Sequence, residues 1–205
     1  MINTLAGFTA ALALALTAQT GTQVGNAAPR IDGRTLDGGV ITSDLLADRA
    51  VVLEWASTDC AFVDKHYSTR SMQTLQRQGT ADGTVWITVF SGPEATQPDR
   101  LVAWLEEHGT AASYVLLDPE GQIARAFKAQ RAPETVVIDR EGAIFYTGAI
   151  DSIPSAQHSD LARADNYVRK ALASLRAGEA LVTRQSRSYG CPLTLPPEGA
   201  STPSQ

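Results

Sequence analysis

Segments typical of strands and helices alternate along the middle of this 205-residue chain, and that order strongly constrains the fold. Runs of apolar and β-branched residues, which are typical of buried strands, occur at 51–55, 84–90 and 114–117. Helical patterns follow each of these runs, at about 62–78, 98–108 and 123–129. Gly79 is predicted to end the first of these helices. Such alternation predicts an α/β domain in which helices flank a largely parallel central sheet.

The order changes in the second half of the chain. Strands are predicted at Thr135–Ile138 and Ala143–Tyr146, with a β-hairpin turn at 139–142 between them. A long helix is predicted at Leu161–Ala177, with Asp160 as its N-cap. A hairpin followed by a final helix is the arrangement of a thioredoxin-like domain, whose central β-sheet is mixed.

The two ends of the chain differ in composition from the middle. Ile2–Ala18 is apolar and about as long as the core of a secretory signal, although no Lys or Arg precedes it. We expect export to the periplasm or outside the cell, with no membrane span after cleavage. Cleavage could follow Ala18 or occur near residues 27–28. A buried or disordered N-terminal helix is the alternative. The predicted division is therefore an export segment at 1–28, a thioredoxin-like domain at 29–182 and a tail at 183–205, irregular from Pro192 onward.

Composition excludes several classes of function. The formal net charge is −5 and no basic run occurs, which argues against nucleic acid as a partner. The two cysteines are too few for a four-thiolate zinc site, and the three scattered histidines form no metal-ligating motif. No metal site and no cofactor are predicted, and the chemistry must come from the cysteines.

Cys60 lies five residues after a predicted buried strand and opens the next helix. The partial positive charge of a helix N-terminus stabilises a thiolate and so favours reactivity. Lys65 and His66 lie within the first two turns and could add positive potential, whereas Asp59 would oppose ionisation of the thiol. An inert, buried cysteine is the alternative interpretation.

No second cysteine follows Cys60 in a CxxC arrangement, because Val63 occupies that position. Cys191, in the predicted tail, is the one candidate for a resolving thiol. A bond between the two would close a loop of about 130 residues and stabilise the fold by roughly 4–5 kcal/mol. The two cysteines could therefore form either a redox pair or a purely structural disulfide.

Two further residues could contribute to a site around Cys60. Pro133 directly precedes a predicted strand and could be an ordinary strand-entry residue or a cis-proline in a turn beside the thiol. Trp55 ends the strand before Cys60 and could border the same site.

Taken together, 51–177 resembles the AhpC/TSA (redoxin) family of the thioredoxin superfamily, and in particular its exported bacterial members. The segment Ser57–Tyr67 (STDCAFVDKHY) is similar to a motif of the type NPxCPFVxKHY. Further blocks match in the same order, at 103–105 (AWL), 115–119 (VLLDP), 132–139 (APETVVID), 146–151 (YTGAID), 164–168 (ADNYV) and 189–191 (YGC).

The resemblance implies a thioredoxin fold, a nucleophilic or peroxidatic role for Cys60, and Cys191 as its partner thiol. It also implies a cis peptide before Pro133. The expected activity is that of a thiol–disulfide oxidoreductase or peroxiredoxin-like antioxidant protein acting on a disulfide or a peroxide. An external thiol, either a thioredoxin-like protein or a small molecule, would supply electrons.

The sequence departs from the family pattern around the reactive cysteine. Ala61 replaces the proline that usually follows it, and Thr58 lies two residues before Cys60 where peroxiredoxins have a threonine three before. Arg125 or Arg131 could be the arginine that binds peroxide in that family.

These departures leave two other functions open. One is a catalytically degenerate binding module in which Cys60 and Cys191 form a structural disulfide. The other is a metal-handling protein that uses Cys60 and His66, although two ligands are too few for a stable site.

Overall fold

The structure is a computed structural model in which residues 22–198 are described. Most of the predicted export segment, including Ile2–Ala18, and the end of the tail, 199–205, lie outside the described residues. Within the described part, no helix is both long enough and apolar enough to cross a membrane.

Strands and helices alternate through most of the described chain. The strands are, in order, β1 (Gly33–Thr35), β2 (Val40–Ile41), β3 (Val51–Trp55), β4 (Val85–Ser91), β5 (Tyr114–Asp118), β6 (Arg131–Ala132), β7 (Glu134–Ile138), β8 (Ile144–Gly148) and β9 (Cys191–Pro192). The α-helices are α1 (Ala61–Ser68), α2 (Ser71–Ala81), α3 (Pro98–His108), α4 (Gln122–Ala126) and α5 (Tyr167–Ala177).

Seven strands form the central sheet, in the order β2-β1-β5-β4-β3-β7-β8. β3, β4 and β5 are parallel, whereas β1 is antiparallel to β5 and β7 is antiparallel to both β3 and β8. The mixed sheet flanked by helices is confirmed. The β1–β2 pair was not predicted, because both strands are too short to show a periodic pattern.

A hydrophobic core covers each face of the sheet. Successive side chains of a strand point to opposite faces, so Val52 contributes to one core and Leu53 and Trp55 to the other. The first core also contains Cys60 and apolar side chains of α1, α2, α3 and α5, whereas α4 covers the second. The start of α1 therefore meets the end of β3 on the first face.

The helix predicted at 62–78 is wrong in two respects. It is interrupted after Ser68, where Arg70 adopts a left-handed φ of 62°, and it resumes as α2. Gly79 does not end it but lies inside α2. A Cβ on Gly79 would lie 3.4 Å from Leu172 of α5 and 3.5 Å from Trp86 of β4, so this glycine allows close packing of the elements.

The start of the last helix is also wrong, although its end is correct. A short 3-10 turn spans His158–Ala162, and α5 begins later, at Tyr167. Asn166, not Asp160, is the N-cap, and its side chain accepts a hydrogen bond from the amide of Arg169. Asn and Asp are equally good N-caps, so the sequence alone could not decide whether the helix starts after Asp160 or after Asn166.

The predicted hairpin between β7 and β8 is confirmed. The amide of Gly142 donates to the carbonyl of Asp139 and closes the turn. Residues 25–28 hydrogen-bond to 142–144, so the first described residues lie beside the hairpin.

Candidate active site

A disulfide joins Cys60 to Cys191 across 131 positions of sequence, with an S–S distance of 2.04 Å. Cys60 is the N-cap of α1, and its carbonyl accepts the amides of Val63 and Asp64. Cys60 is 2% exposed, whereas Cys191 is half-buried. Of the two residues, Cys191 is therefore the more accessible to an attacking thiol.

The loop before β7 lies against this disulfide. The Ala132–Pro133 peptide is cis. The carbonyl oxygen of Ala132 lies 3.1 Å from the sulfur of Cys60. Ala132 also pairs with Cys191 in the two-stranded sheet of β6 and β9, so one residue contacts both halves of the disulfide.

The segment that carries Cys191 crosses the molecule as a strap, defined here as residues 184–196. It first pairs with the edge strand β8, where the amide of Thr147 donates to the carbonyl of Arg184 and the amide of Ser186 donates to the carbonyl of Thr147. Beyond Cys191, the amide of Leu193 donates to the carbonyl of Gln130. The strap is thus held on both sides of the disulfide.

Gly190 allows the strap to approach the loop closely. Its φ is +118°, which a residue with a side chain rarely adopts, and a Cβ would lie 2.2 Å from the carbonyl oxygen of Ala132. Nη1 of Arg131 donates to the carbonyl of Gly190 at 2.9 Å and holds this turn in place.

A buried ion pair lies beneath the strap. Lys65 and Asp151 are fully buried, and Nζ lies 2.9 Å from Oδ2. Nζ also donates to the carbonyl of Ile153 and to the hydroxyl of Tyr189, which itself donates to Oδ1 of Asp151 at 2.7 Å. The positive charge of Lys65 is therefore compensated locally.

His66 joins the same cluster, with Nε2 3.3 Å from Oδ2 of Asp151. Burial lowers the pKa of His66 to about 4, against the opposing effect of Asp151. The ring is therefore uncharged at neutral pH and adds no positive potential at Cys60. Within residues 22–198, no group of three or more His, Cys, Asp and Glu side chains is arranged to hold a metal ion.

Thr58 and Asp59, in the loop before Cys60, are both engaged with neighbouring elements. The amide and the hydroxyl of Thr58 donate to Oε1 of Glu94, at 2.7 and 2.5 Å. Asp59 is exposed and lies 2.5 Å from Nη2 of Arg100. Because these side chains are paired or uncharged, stabilisation of a Cys60 thiolate would come from the partial positive charge at the N-terminus of α1.

Trp55 does not lie beside the disulfide. It belongs to the core on the opposite face of the sheet from Cys60, where its ring centroid is 5.9 Å from that of Phe127. Alternation along β3 puts Trp55 on the face away from the start of α1.

Several site residues were not singled out from the sequence. Asp151 occurs there only as the end of the matched block 146–151, and Glu94 has no sequence signal. Tyr189 was noted only as a neighbour of Cys191. Lys65 lies between the buried apolar residues Val63 and Tyr67 of α1. A lysine that is buried with such neighbours needs a carboxylate partner, which is the signal that could have pointed to Asp151.

Searches of solved structures find the same fold in other proteins. An uncharacterized conserved protein from Geobacillus kaustophilus has a TM-score of 0.69 at 23% identity, covering 86% of this chain and 94% of its own. A hypothetical protein from Sinorhizobium meliloti has a TM-score of 0.68 at 20% identity, covering 85% and 96%. A thiol:disulfide interchange protein of the thioredoxin family from Chlorobium tepidum has a TM-score of 0.52 at 20% identity, covering 71% and 95%.

No curated protein sequence matches the chain. The AhpC/TSA family model matches residues 24–147, which are more than half of the chain and contain Cys60 and Pro133. With a thioredoxin-like fold and a cysteine at the start of α1, the match shows that the chain belongs to the AhpC/TSA family.

Proposed function

We propose that this protein is a thiol–disulfide oxidoreductase in which Cys60 and Cys191 alternate between a disulfide and two thiols. The observation that carries the proposal is the bond between a cysteine at a helix N-terminus and a half-buried cysteine on a surface strap. The first position favours a thiolate, and the second gives an external thiol access to the bond.

In the reduced protein, the Cys60 thiolate attacks one sulfur of a substrate disulfide. A mixed disulfide forms and the other substrate sulfur leaves as a thiolate. The Cys191 thiolate then attacks the sulfur of Cys60, which releases the second substrate thiolate and restores the internal disulfide. An external thiol must reduce that bond before the next turnover. Pro133 borders the nucleophile and limits access to it.

The surroundings of Cys60 support a disulfide substrate over a peroxide. The hydroxyl of Thr58 is already bonded to Glu94, and the guanidinium of Arg125 donates to the carbonyls of Glu120 and Pro196. Arg131, the other candidate arginine, donates to the carbonyl of Gly190. The groups that could bind a peroxide are therefore already engaged with other partners.

We also propose that the protein acts after export, as a domain spanning 29–182 with the tail at 183–205. Residues 25–28 pair with the hairpin, which favours cleavage after Ala18 over cleavage near residue 27. In the periplasm or outside the cell, a disulfide can persist between turnovers.

The test is the reduction potential of the disulfide, followed by turnover. We expect a potential near or above about −200 mV against glutathione, as for exchanging pairs. Catalysed reduction of a mixed-disulfide substrate should be lost in Cys60→Ser, whereas Cys191→Ser should accumulate the mixed disulfide. Full activity of the Cys60→Ser protein would refute the proposal.

A purely structural disulfide in a binding module is the second candidate, and the burial of Cys60 is the observation that favours it. It predicts a potential below about −300 mV and no turnover. The same titration therefore separates the two functions.

A further inference from the structure

A groove of about 820 Å³ lies between the strap and the body of the domain. The strap forms one wall through residues 185–190, and the opposite wall includes residues of the loop before β7, the start of α5 and the segment after β8. The volume is in the range of sites for small molecules. Gly190, which lines the groove, is covalently next to Cys191, so the lining of the groove ends one residue before the disulfide.

Uncompensated charge in this groove is positive, in a chain with a net charge of −5. Exposed Lys128, Arg131 and Arg187 line it. Its two carboxylates are both engaged already. Asp151 pairs with buried Lys65, and Glu134 is buried and accepts the amides of residues 130 and 131.

We propose that this groove binds the external electron donor, a small thiol that carries carboxylates. The inference rests on the proposed function, since it names the chemical class of the reductant that restores the thiol pair. Arg131 lines the groove, holds the turn at Gly190 and pairs with Pro192, the residue after Cys191. A carboxylate held by Lys128 and Arg187 would keep the thiol of the same molecule near Cys191.

The donor acts in two steps. Its thiolate attacks the sulfur of Cys191, the more accessible of the two; a bond forms between donor and Cys191, and Cys60 leaves as a thiolate at the start of α1. A second donor thiolate then attacks the sulfur of the bound donor, and Cys191 leaves as a thiolate. Two donor thiols are oxidised to one donor disulfide while the protein disulfide is reduced to two thiols.

The experiment compares three thiols of different charge as reductants of the oxidised full-length protein. The probes are glutathione, which is net negative, 2-mercaptoethanol, which is uncharged, and cysteamine, which is positive. Samples are quenched with an alkylating agent and the fraction reduced is measured by mass spectrometry. For each thiol, the rate with the wild-type protein is divided by the rate with each variant, so that the intrinsic reactivity of the thiol cancels.

Arg187 makes no hydrogen bond or ion pair among the described residues, so its replacement should not disturb the fold. The matched control is Arg184→Ala, which also removes one positive charge from the strap. Arg184 serves as the control because it lies over the ring of Phe145 and does not line the groove. Lys128→Gln is the second test variant.

We expect Arg187→Ala and Lys128→Gln each to slow reduction by glutathione by about threefold, and the pair together by about tenfold, the size of exposed charge interactions. The rate with 2-mercaptoethanol should not change, that with cysteamine should rise, and Arg184→Ala should match the wild type throughout. Added salt should reduce the differences.

Equal effects of Arg184→Ala and Arg187→Ala, or the same rate ratios for all three thiols, would overturn the groove as the donor site while leaving the exchanging disulfide intact. Resistance of the bond to every thiol at equilibrium would instead refute the proposed function itself. The two failures are therefore distinguishable.

Discussion

Glu54 of β3 should make the stability of this protein depend on pH in a direction unusual for a carboxylate. The side chain is fully buried, and Oε2 accepts hydrogen bonds from Nε1 of Trp86 at 2.9 Å and from Nε2 of Gln76 at 3.3 Å. Among residues 22–198, nothing donates to Oε1. Burial raises the pKa of Glu54 from 4.5 to about 7, because the hydrogen bonds compensate only part of the lost hydration.

The magnitude follows from the two pKa values. In the unfolded chain Glu54 ionises near pH 4.5, whereas in the fold it stays protonated until about pH 7. The contribution of Glu54 to the unfolding free energy is therefore fully present below pH 4.5 and is lost as the pH rises to 7. The loss approaches about 3 kcal/mol, since each unit of pKa difference corresponds to about 1.4 kcal/mol.

His66 has the opposite effect and would mask this loss in the wild-type profile. Its pKa falls from 6.5 to about 4 on folding, so its contribution to stability is full above pH 6.5 and is lost as the pH falls towards 4. The measurement must therefore be a difference between two proteins that share His66.

The assay is urea unfolding of the oxidised wild type and of Glu54→Gln between pH 5 and pH 8. The amide keeps the shape of the side chain and cannot ionise. We expect the unfolding free energy of Glu54→Gln relative to wild type to increase by about 2–3 kcal/mol from pH 5 to pH 8. The control is Glu141→Gln, which changes an exposed carboxylate in the hairpin turn. A difference between wild type and Glu54→Gln that stays constant over this range would refute the reasoning.

Two further predictions concern the strap and the cluster beneath it. Asp151→Asn should lower the unfolding free energy by about 3–5 kcal/mol, because Lys65 keeps a buried charge without its partner; an unchanged urea midpoint would contradict the buried ion pair. Gly190→Ala should speed reduction of the disulfide by dithiothreitol, because a Cβ would clash with Ala132 and displace the strap. Gly38→Ala, at a φ of +87° with no atom within 4 Å, is the control, and equal reduction rates for the two variants would rule out the clash.

The sequence was sufficient for the central elements of the fold because their patterns are local. β3 and α3 have the predicted boundaries. A run rich in β-branched residues specifies β3, and a proline at the first position with a glycine after the last specifies α3. The break at Arg70 was not predictable, because no pattern of glycine or proline marks it. Gly79 was wrongly predicted to end the helix for a related reason. This glycine allows α2 to pack closely against α5 and β4, which only the assembled structure shows.

The site was predictable where the family resemblance covers it. Cys60 and Cys191 are bonded, and Pro133 follows Ala132, whose carbonyl oxygen lies 3.1 Å from the sulfur of Cys60. The sequence could not settle whether Lys65 and His66 add positive potential at Cys60. Their charges depend on burial and on Asp151, a residue 85 positions beyond His66 whose proximity is set by tertiary structure. A helical position alone cannot distinguish a lysine that raises the local potential from one that is already neutralised.

The anchoring of the strap bears directly on whether Cys191 can resolve a mixed disulfide. The hydrogen bonds at Ser186 and at Leu193 lie on either side of Cys191 and do not involve its side chain. In the proposed cycle, these two anchors would keep Cys191 near Cys60 after reduction. Its attack on a mixed disulfide is then an intramolecular step with a high effective concentration. The proposed resolving role of Cys191 therefore predicts that these two hydrogen bonds persist in the reduced protein.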